Sequence, residues 1–520
     1  MSYVGAFPFL HDAPAVLGLE QMVMVVTIMT RRYERVLAKG AADRRKLLFS
    51  SMAVHDRKIS EMRSSEDPTG ASETVEGEIE ELDEDVDGLD NLVLEAFDYL
   101  EYTKFFKDQA SFSTRCAMVP ADNFRKLVML LLLIAPLDSQ ESLSLYSDRL
   151  SGDSLESLRL TAECILTAFL DVEKSPGIKF QRFDAVIPAS MPFIFNGLTA
   201  LFEHFLFSKN LDFHKHLDDT KKDPPPPQIV QPLLQDSASI MNLNILSQLS
   251  FFISGDTIFR RLRLLYSGDD DGFSMGSFET KVFNWKAPTI LLIRGTRLSE
   301  DVSHRSTGPE SVFLSSLPPR RFRSRGGGEN ERLTFGIYVS QPWKHTNREC
   351  FGGEDTLLFQ LEPIHDVLRA STLNKDYVSF IKPSPSTSHA GISFGCPPPQ
   401  PTQTYRRSNM ITLGPISLIL DDSFEFGCFT HDYTSRGGAF QVSTARRYDF
   451  QERFEIESLE VWGCGGDEEA KHQAERWAWE AREAEARRRI NLGTGDIEAD
   501  RALLEMAGLI GGNRSGGSMG

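Results

Sequence analysis

Residues 413–428 read LGPISLILDDSFEFGC, and the fold of the second half of the chain turns on how they pair. Ile416, Leu418 and Leu420 alternate with Ser417 and Ile419; Phe424, Phe426 and Cys428 alternate with Glu425 and Gly427. Such alternation puts every second side chain on one buried face of a strand. Asp421, Asp422 and Ser423 between the two runs make a three-residue polar connection suited to a hairpin, so the stretch predicts two half-buried antiparallel strands.

The same period recurs outward from this hairpin. Phe335, Ile337 and Val339 alternate with Gly336 and Tyr338, and PTILLIR (288–294), TLLFQL (356–361), YVSFI (377–381) and IESLEVW (456–462) add further strands. Together they predict an antiparallel β-sandwich. The first two hundred residues have helical spacing instead: Met129, Leu132 and Leu133 in one stretch, Leu155, Leu158, Cys164 and Leu166 in another. LVMLLLLIAPL (127–137) is too short to cross a bilayer and runs into Pro136, which makes it a buried helix. The resulting fold class is α+β: a helical N-terminal domain over 1–208 with an acidic loop at 66–90, a proline-rich linker at 209–236, a sandwich over 237–466, and a charged helix with a flexible tail over 467–520. Stretches 299–331 and 383–408 read as loop insertions, from their serine, proline, glycine and arginine content.

Composition narrows the function classes. A chain of 520 residues with 41% hydrophobic and 25% charged residues is ordinary for a folded, soluble protein. Its formal charge of -18 opposes long-range attraction to nucleic acid, so RRFRSRGGG (320–328) reads as a flexible loop and not as a base-stacking patch. Cys116, Cys164, Cys350, Cys396, Cys428 and Cys464 include no CxxC pair, which argues for reduced thiols in a cytoplasmic protein. The N-terminal residues lack the pattern of a secretory leader, so none is expected, and Ser2 stands where N-myristoylation requires glycine, so any membrane association is expected to be indirect unless the true start lies elsewhere.

Few motifs carry chemistry. HExxH and a P-loop lysine motif are missing. Asp83, Asp85, Asp87 and Gly88 imitate the opening of a calcium loop, but the closing position holds Leu94, so the stretch reads as a solvated acidic loop. Cys428 and His431 have C-x2-H spacing without a second pair, and no metal or cofactor is expected. An antioxidant or metal-dependent enzyme using Cys350, Cys428 or Glu354 is the alternative class. In YSGDDDGFSMGSF (266–278) the segment Gly268–Gly272 reads as a polar turn with solvated aspartates, and Phe273 and Phe278 read as core anchors. From Asp467 to Arg489 strong helix formers run unbroken, acidic residues first and arginines last. Trp477 on its small-residue stripe, with Trp479, Arg487 and Arg488, either docks in a partner groove or folds back on the sandwich.

These ordered segments carry a resemblance. LRLLYSGDDDGFSMGSF, APTILLIRG, TFGIYVSQPW, FGGEDTLLFQL, GISFG, LGPISLILDDSFEFG and FEIESLEVWG, over about 250–465, resemble the TLDc domain family. With FDAVIPASMPFIFNGLTALFEHFLFSK (183–209) and the C-terminal helix included, the whole chain is similar to the fungal Restriction of telomere capping protein 5 family. The resemblance implies a TLDc sandwich after a helical domain and a non-enzymatic protein. It also implies binding to the vacuolar-type proton ATPase, regulation of that pump by disassembly or inhibition, and a link to oxidative-stress resistance. Such a protein is expected in the cytoplasm, recruited to the vacuolar membrane. The motif residues carried over are Gly353, Glu354, Thr356 and Phe359 of GE-x-T-x-x-F, Asp421, Asp422 and Gly427 of the hairpin, and Glu460, Trp462 and Gly463 of EVWG. Glycines, Thr356, Phe359 and Trp462 read as structural; Glu354 reads as a buried hydrogen-bond hub, with a functional contact as the alternative.

Overall fold

In the computed structural model the described residues are 18–32, 44–55, 117–138, 141, 143–169, 177–207, 232–298, 308–319, 331–346, 348–383, 390–398 and 410–491. The acidic loop with Asp83, Asp85 and Asp87, the RRFRSRGGG run, Ser2 and most of the proline-rich linker lie outside them.

The first half contains helices α1 (Leu19–Met29), α2 (Arg44–Met52), α3 (Ala121–Ile134), α4 (Gly152–Leu166), α5 (Phe180–Ser190) and α6 (Asn196–Phe207). A small antiparallel sheet of β1 (Val54–His55), β2 (Ala117–Pro120) and β3 (Gly177–Lys179) ties α2, α3 and α5 together. The apolar run predicted as a buried helix is α3, which buries Phe124, Val128, Leu131, Leu132 and Ile134. Around it the rings of Phe49, Phe169, Phe183 and Phe195 pack mostly edge-on or tilted, Phe124 and Phe169 with centroids 5.0 Å apart. Aromatic pairs prefer such geometry because a ring's positive edge meets its neighbour's negative face.

The second half opens with α7 (Leu243–Leu249), capped by the Asn242 side chain accepting from the amides of Asn244 and Ile245, and the single turn α8 (Gly255–Ile258). Then come β4 (Arg263–Ser267), the turn α9 (Gly268–Asp271), α10 (Met275–Val282), β5 (Thr289–Arg297), α11 (Pro309–Ser316) and β6 (Arg332–Val339). The remaining elements are β7 (Leu357–Glu362), β8 (Asp366–Arg369), β9 (Val378–Ile381), β10 (Gly391–Phe394), β11 (Ile416–Leu420), β12 (Phe426–His431), β13 (Phe450–Gly463) and α12 (Asp467–Asn491). Strands β4 to β13 form one antiparallel sheet in the order β8-β7-β6-β5-β13-β12-β11-β10-β9, with β4 sharing an edge of β13 with β12.

The two layers of the sandwich are wings of this one sheet. Residues from β5–β8 and from β9–β12 share a single core, in which Phe335 of β6 stacks on Phe429 of β12 at 4.9 Å and on Phe454 of β13 at 5.2 Å. Both outer edges are closed. The Ser371 amide donates to Ala439 O and the Gln441 amide to Arg369 O beside β8, and Phe351 bridges to Val378 beside β9.

The strands differ from expectation in burial. Leu291 and Ile293 of β5 face the shared core, whereas Ile290 and Leu292 face a second cluster under α7 and α8, and every residue of β11 and β12 is buried. Helices cover the outer face, so alternation here separates two buried faces, not inside from outside. Part of the predicted loop insertion 299–331 supplies one such cover: α11 buries Phe313 against Phe426 and Cys428. Within 383–408, Gly391–Phe394 is a strand. The hairpin connection also runs longer than predicted, Asp421–Glu425, because Phe424 adopts a left-handed conformation (φ 57°) that drops its ring into the core 5.9 Å from Phe278.

Candidate functional site

The motif residues divide into two settings. Glu460, within β13, is fully buried. Its carboxylate accepts from the Ile240 amide, from the Met241 amide at 3.1 Å, from Ser239 Oγ at 3.1 Å and from Trp462 Nε1 at 2.9 Å. Four donors around one carboxylate make charge-assisted bonds that offset its desolvation. They pin the segment leading into α7 against the last strand. Gly463 belongs to the same seam: a Cβ there would lie 2.4 Å from the Trp285 ring. A corresponding close approach, 2.3 Å to the Phe454 ring, occupies the space at Gly427.

Glu354 is not the expected hub. It is exposed, in a turn closed by the Thr356 amide donating to Gly353 O at 3.0 Å, and it precedes the strand instead of lying in it. Thr356 and Phe359 are buried, the latter 4.9 Å from the Phe252 ring. In the hairpin, Asp421 Oδ1 accepts from the Phe426 amide at 2.8 Å and Oδ2 from Ser423 Oγ, while Asp422 is exposed. Burial pushes the Asp421 carboxyl above its usual range.

The aspartates of SGDDDG are more engaged than their sequence implies. Asp269 accepts from Ser239 Oγ at 2.8 Å and Ser458 Oγ at 3.1 Å, and Asp271 pairs with Lys281 at 3.0 Å. Asp270 is exposed. The turn takes up one helical turn, and Ser274 caps α10 so that Phe278 enters the core, whereas Phe273 stays 37% exposed and is no core anchor.

Lys281 also links this surface to α12. Its ammonium lies 5.6 Å from the centre of the Trp477 ring, and its carbonyl accepts from Gln473 Nε2 at 3.0 Å, while Ala470 packs on the main core. The base of α12 therefore folds back on the sandwich. Trp479, one half-turn further, is 53% exposed, and the helix continues through Arg487 and Arg488 to Asn491.

The groups proposed for chemistry do not converge. Cys428 and His431, three apart on β12, point to opposite faces: Cys428 joins the cluster under α11, and His431 Nε2 accepts from the Ser443 amide at 3.1 Å while Nδ1 meets Tyr448 O at 3.0 Å. Burial, with Asp376 and Cys396 nearby, pushes the Cys350 thiol up to about 12, unfavourable for a thiolate nucleophile. His345 pairs with Glu279 at 2.8 Å. Among the described residues no three His, Cys, Asp or Glu side chains group as a metal would require. An open cleft of about 480 Å³, lined by Pro136, Asp138, Gly197, Arg260 and Arg261 among others, contains no cysteine or histidine, and Arg260 is already paired with Glu141.

A polar face missed in the sequence lies on α7. Its residues 244–249 are all buried, with Ile245, Leu246 and Leu249 on the sheet and Asn244, Ser247 and Gln248 at i, i+3 and i+4. The signal was present in NLNILSQL (242–249), as two interleaved helical stripes.

Residues 234–465 match the TLDc domain family. Over its full length the chain is 64% identical to Restriction of telomere capping protein 5 of Neurospora crassa, spanning 100% of this chain and 86% of that relative. It is 58% identical to the protein of the same name from Colletotrichum graminicola, covering 100% and 87% of the two chains. A more distant namesake from Trichophyton verrucosum is 33% identical over 98% and 86%.

Proposed function

The chain belongs to the Restriction of telomere capping protein 5 family and carries a TLDc domain over residues 234–465; on that premise we propose that it is a non-enzymatic interaction protein that binds and regulates the vacuolar-type proton ATPase. In this reading it works from the cytoplasmic side of the vacuolar membrane and promotes disassembly or inhibition of the pump. No helix among the described residues is long and apolar enough to cross a membrane.

The observation that supports the reading best is α12. Its base is fastened by Ala470, Gln473 and Trp477, and beyond that point it presents Trp479 on a charged, 25-residue helix. An exposed tryptophan held on a rigid helix suits a partner groove, and a second contact from the sandwich raises affinity by making one event intramolecular. The raised Cys350 thiol and the full burial of Cys428 weigh against the antioxidant alternative with either as nucleophile.

Two measurements test this. The full chain should retain peripheral pump subunits in affinity purification from vacuole-containing lysate, and Trp479→Ala should reduce retention several-fold without changing thermal stability. Added to vacuolar vesicles, the protein should lower ATP-driven proton uptake. No retention together with unchanged uptake would remove the pump from the account.

A further inference from the structure

We infer that the helical half, within 18–207, and the TLDc half, within 232–491, meet at a joint that opens as a unit while each half keeps its own core. This goes beyond the pump reading and does not depend on it.

Three observations carry the inference. The first is the chemistry of the contact. It is largely polar: hydrogen bonds from side chains to main-chain carbonyls and to other side chains, with the Arg260–Glu141 ion pair beside them. Arg182 of α5 donates to Thr444 O and Ala445 O, Arg369 of β8 donates to Ala189 O at 3.1 Å and Pro188 O at 3.4 Å, and the His365 ring meets Ser190 O at 3.3 Å. On the α7 side, Arg149 donates to Asn244 Oδ1 at 2.9 Å, and Asn244 Nδ2 donates to Ser157 Oγ at 2.9 Å. Each of these groups can be solvated when the halves part, so the apolar surface that separation exposes is confined to Phe251, Leu233 and Ala445.

The second is the division of the cores. Apolar clusters fill each half separately, and Phe251, with Leu233 and Ala445 at its margin, is what the TLDc half contributes to the helical core. α7 shows the same division within one helix: Ile245, Leu246 and Leu249 pack on its own sheet, while Asn244 and Ser247 bond to Arg149 of the helical half. A helix meant to be permanently buried on both sides is expected to be apolar all round.

The third is incomplete satisfaction. Ser190 Oγ, Thr444 Oγ1, Asp366 Oδ1 and Arg149 Nε are buried here without a hydrogen-bond partner in the protein, and the 480 Å³ cleft opens along one side of the contact at Ile194, Phe251 and Arg260. Opening the joint gives these polar atoms direct access to solvent. It also uncovers Asn244, Ser247, His365 and Arg369, a polar face on the TLDc half that the closed form withholds from partners.

Native-state hydrogen exchange on the full chain tests the joint without any partner. Two amides donate across it at 2.9 Å, His365 to Cys164 O and Phe193 to Phe251 O. They should exchange at least about 100-fold faster than the amides of Leu131 in α3 and Leu292 in β5, which open only when a whole half unfolds. Arg369→Ala, which cuts the joint from one side, and Arg182→Ala, which cuts it from the other, should each accelerate the two cross-joint amides about tenfold further and leave the core amides unchanged. Cross-joint amides as slow as the core amides, or core amides accelerated in step with them in both variants, would show a single cooperative unit and overturn the inference.

Discussion

Glu354 and Glu460 both belong to motifs that introduce or close an apolar strand, yet one stands in solvent and the other is fully buried beneath four donors. The difference lies in backbone position. Glu354 sits in a turn that satisfies its own backbone, through the Thr356 amide and Gly353 O, so no neighbouring donor seeks its side chain. Glu460 lies inside β13, on the face that meets Ser239–Met241, where two amides ahead of a helix converge without intrahelical partners. Those donors are 220 positions away in sequence. A shared motif class therefore says little about burial until the segment packed against it is known.

The comparison breaks most sharply at its buried end. Glu460→Ala removes the acceptor from the amides of Ile240 and Met241 and from Trp462 Nε1, which remain buried. We expect a loss on the order of 4 kcal/mol, by analogy with removing one side of a buried charged interaction. Chemical denaturation followed by the fluorescence of Trp285, Trp343 and Trp462 measures it, since all three are buried in the TLDc half. A loss below about 1 kcal/mol would mean that the Ser239–Met241 segment finds other acceptors and that Glu460 is no hub.

A second buried polar group, at the joint, titrates. Burial lowers the His365 pKa from 6.5 to about 4, so it is neutral when folded at neutral pH, with Nδ1 near Gln248 Nε2 at 3.1 Å and Nε2 near Ser190 O. Between these two values the unfolded chain holds a proton that the folded chain does not, and stability is lost as the pH falls through this window. By pH 5 the contribution lost is about 2 kcal/mol relative to pH 7. His365→Asn should flatten that part of the pH dependence of the unfolding midpoint. An unchanged slope would assign it to other groups, such as His431, whose pKa burial also lowers.

How much of this was legible in the sequence follows the same division between local and distant causes. The strands were legible because alternation is local: the stretches read from Ile416–Leu420 and Phe335–Val339 are strands at those places. That they are buried on both faces was not, because the covers, α7 and α11, are encoded elsewhere and one of them lies inside a segment that reads as a loop. Phe424 was assigned to a strand because its left-handed conformation depends on a core pocket beside Phe278, which no local pattern reveals. Phe273 and Phe278 look alike in the sequence, and the cap at Ser274 separates them by fixing where α10 begins. The joint was invisible for the same reason as the Glu460 hub. Its bonds run between side chains and carbonyls far apart in the chain, as from Arg182 to Thr444 across 262 positions.

The smallest effect is expected at the exposed end of the comparison, and it is the more informative about function. Glu354→Ala removes a solvated carboxylate from a turn whose closing hydrogen bond is made by the backbone, so the stability change should stay within about 0.5 kcal/mol. Asp270→Ala, on the exposed turn after β4, should behave alike. With the fold intact, any loss of pump-subunit retention by either variant would mark that carboxylate as a partner contact, because no internal interaction would account for it. A destabilisation above about 1 kcal/mol for Glu354→Ala would return the residue to a structural role and erase the contrast with Glu460.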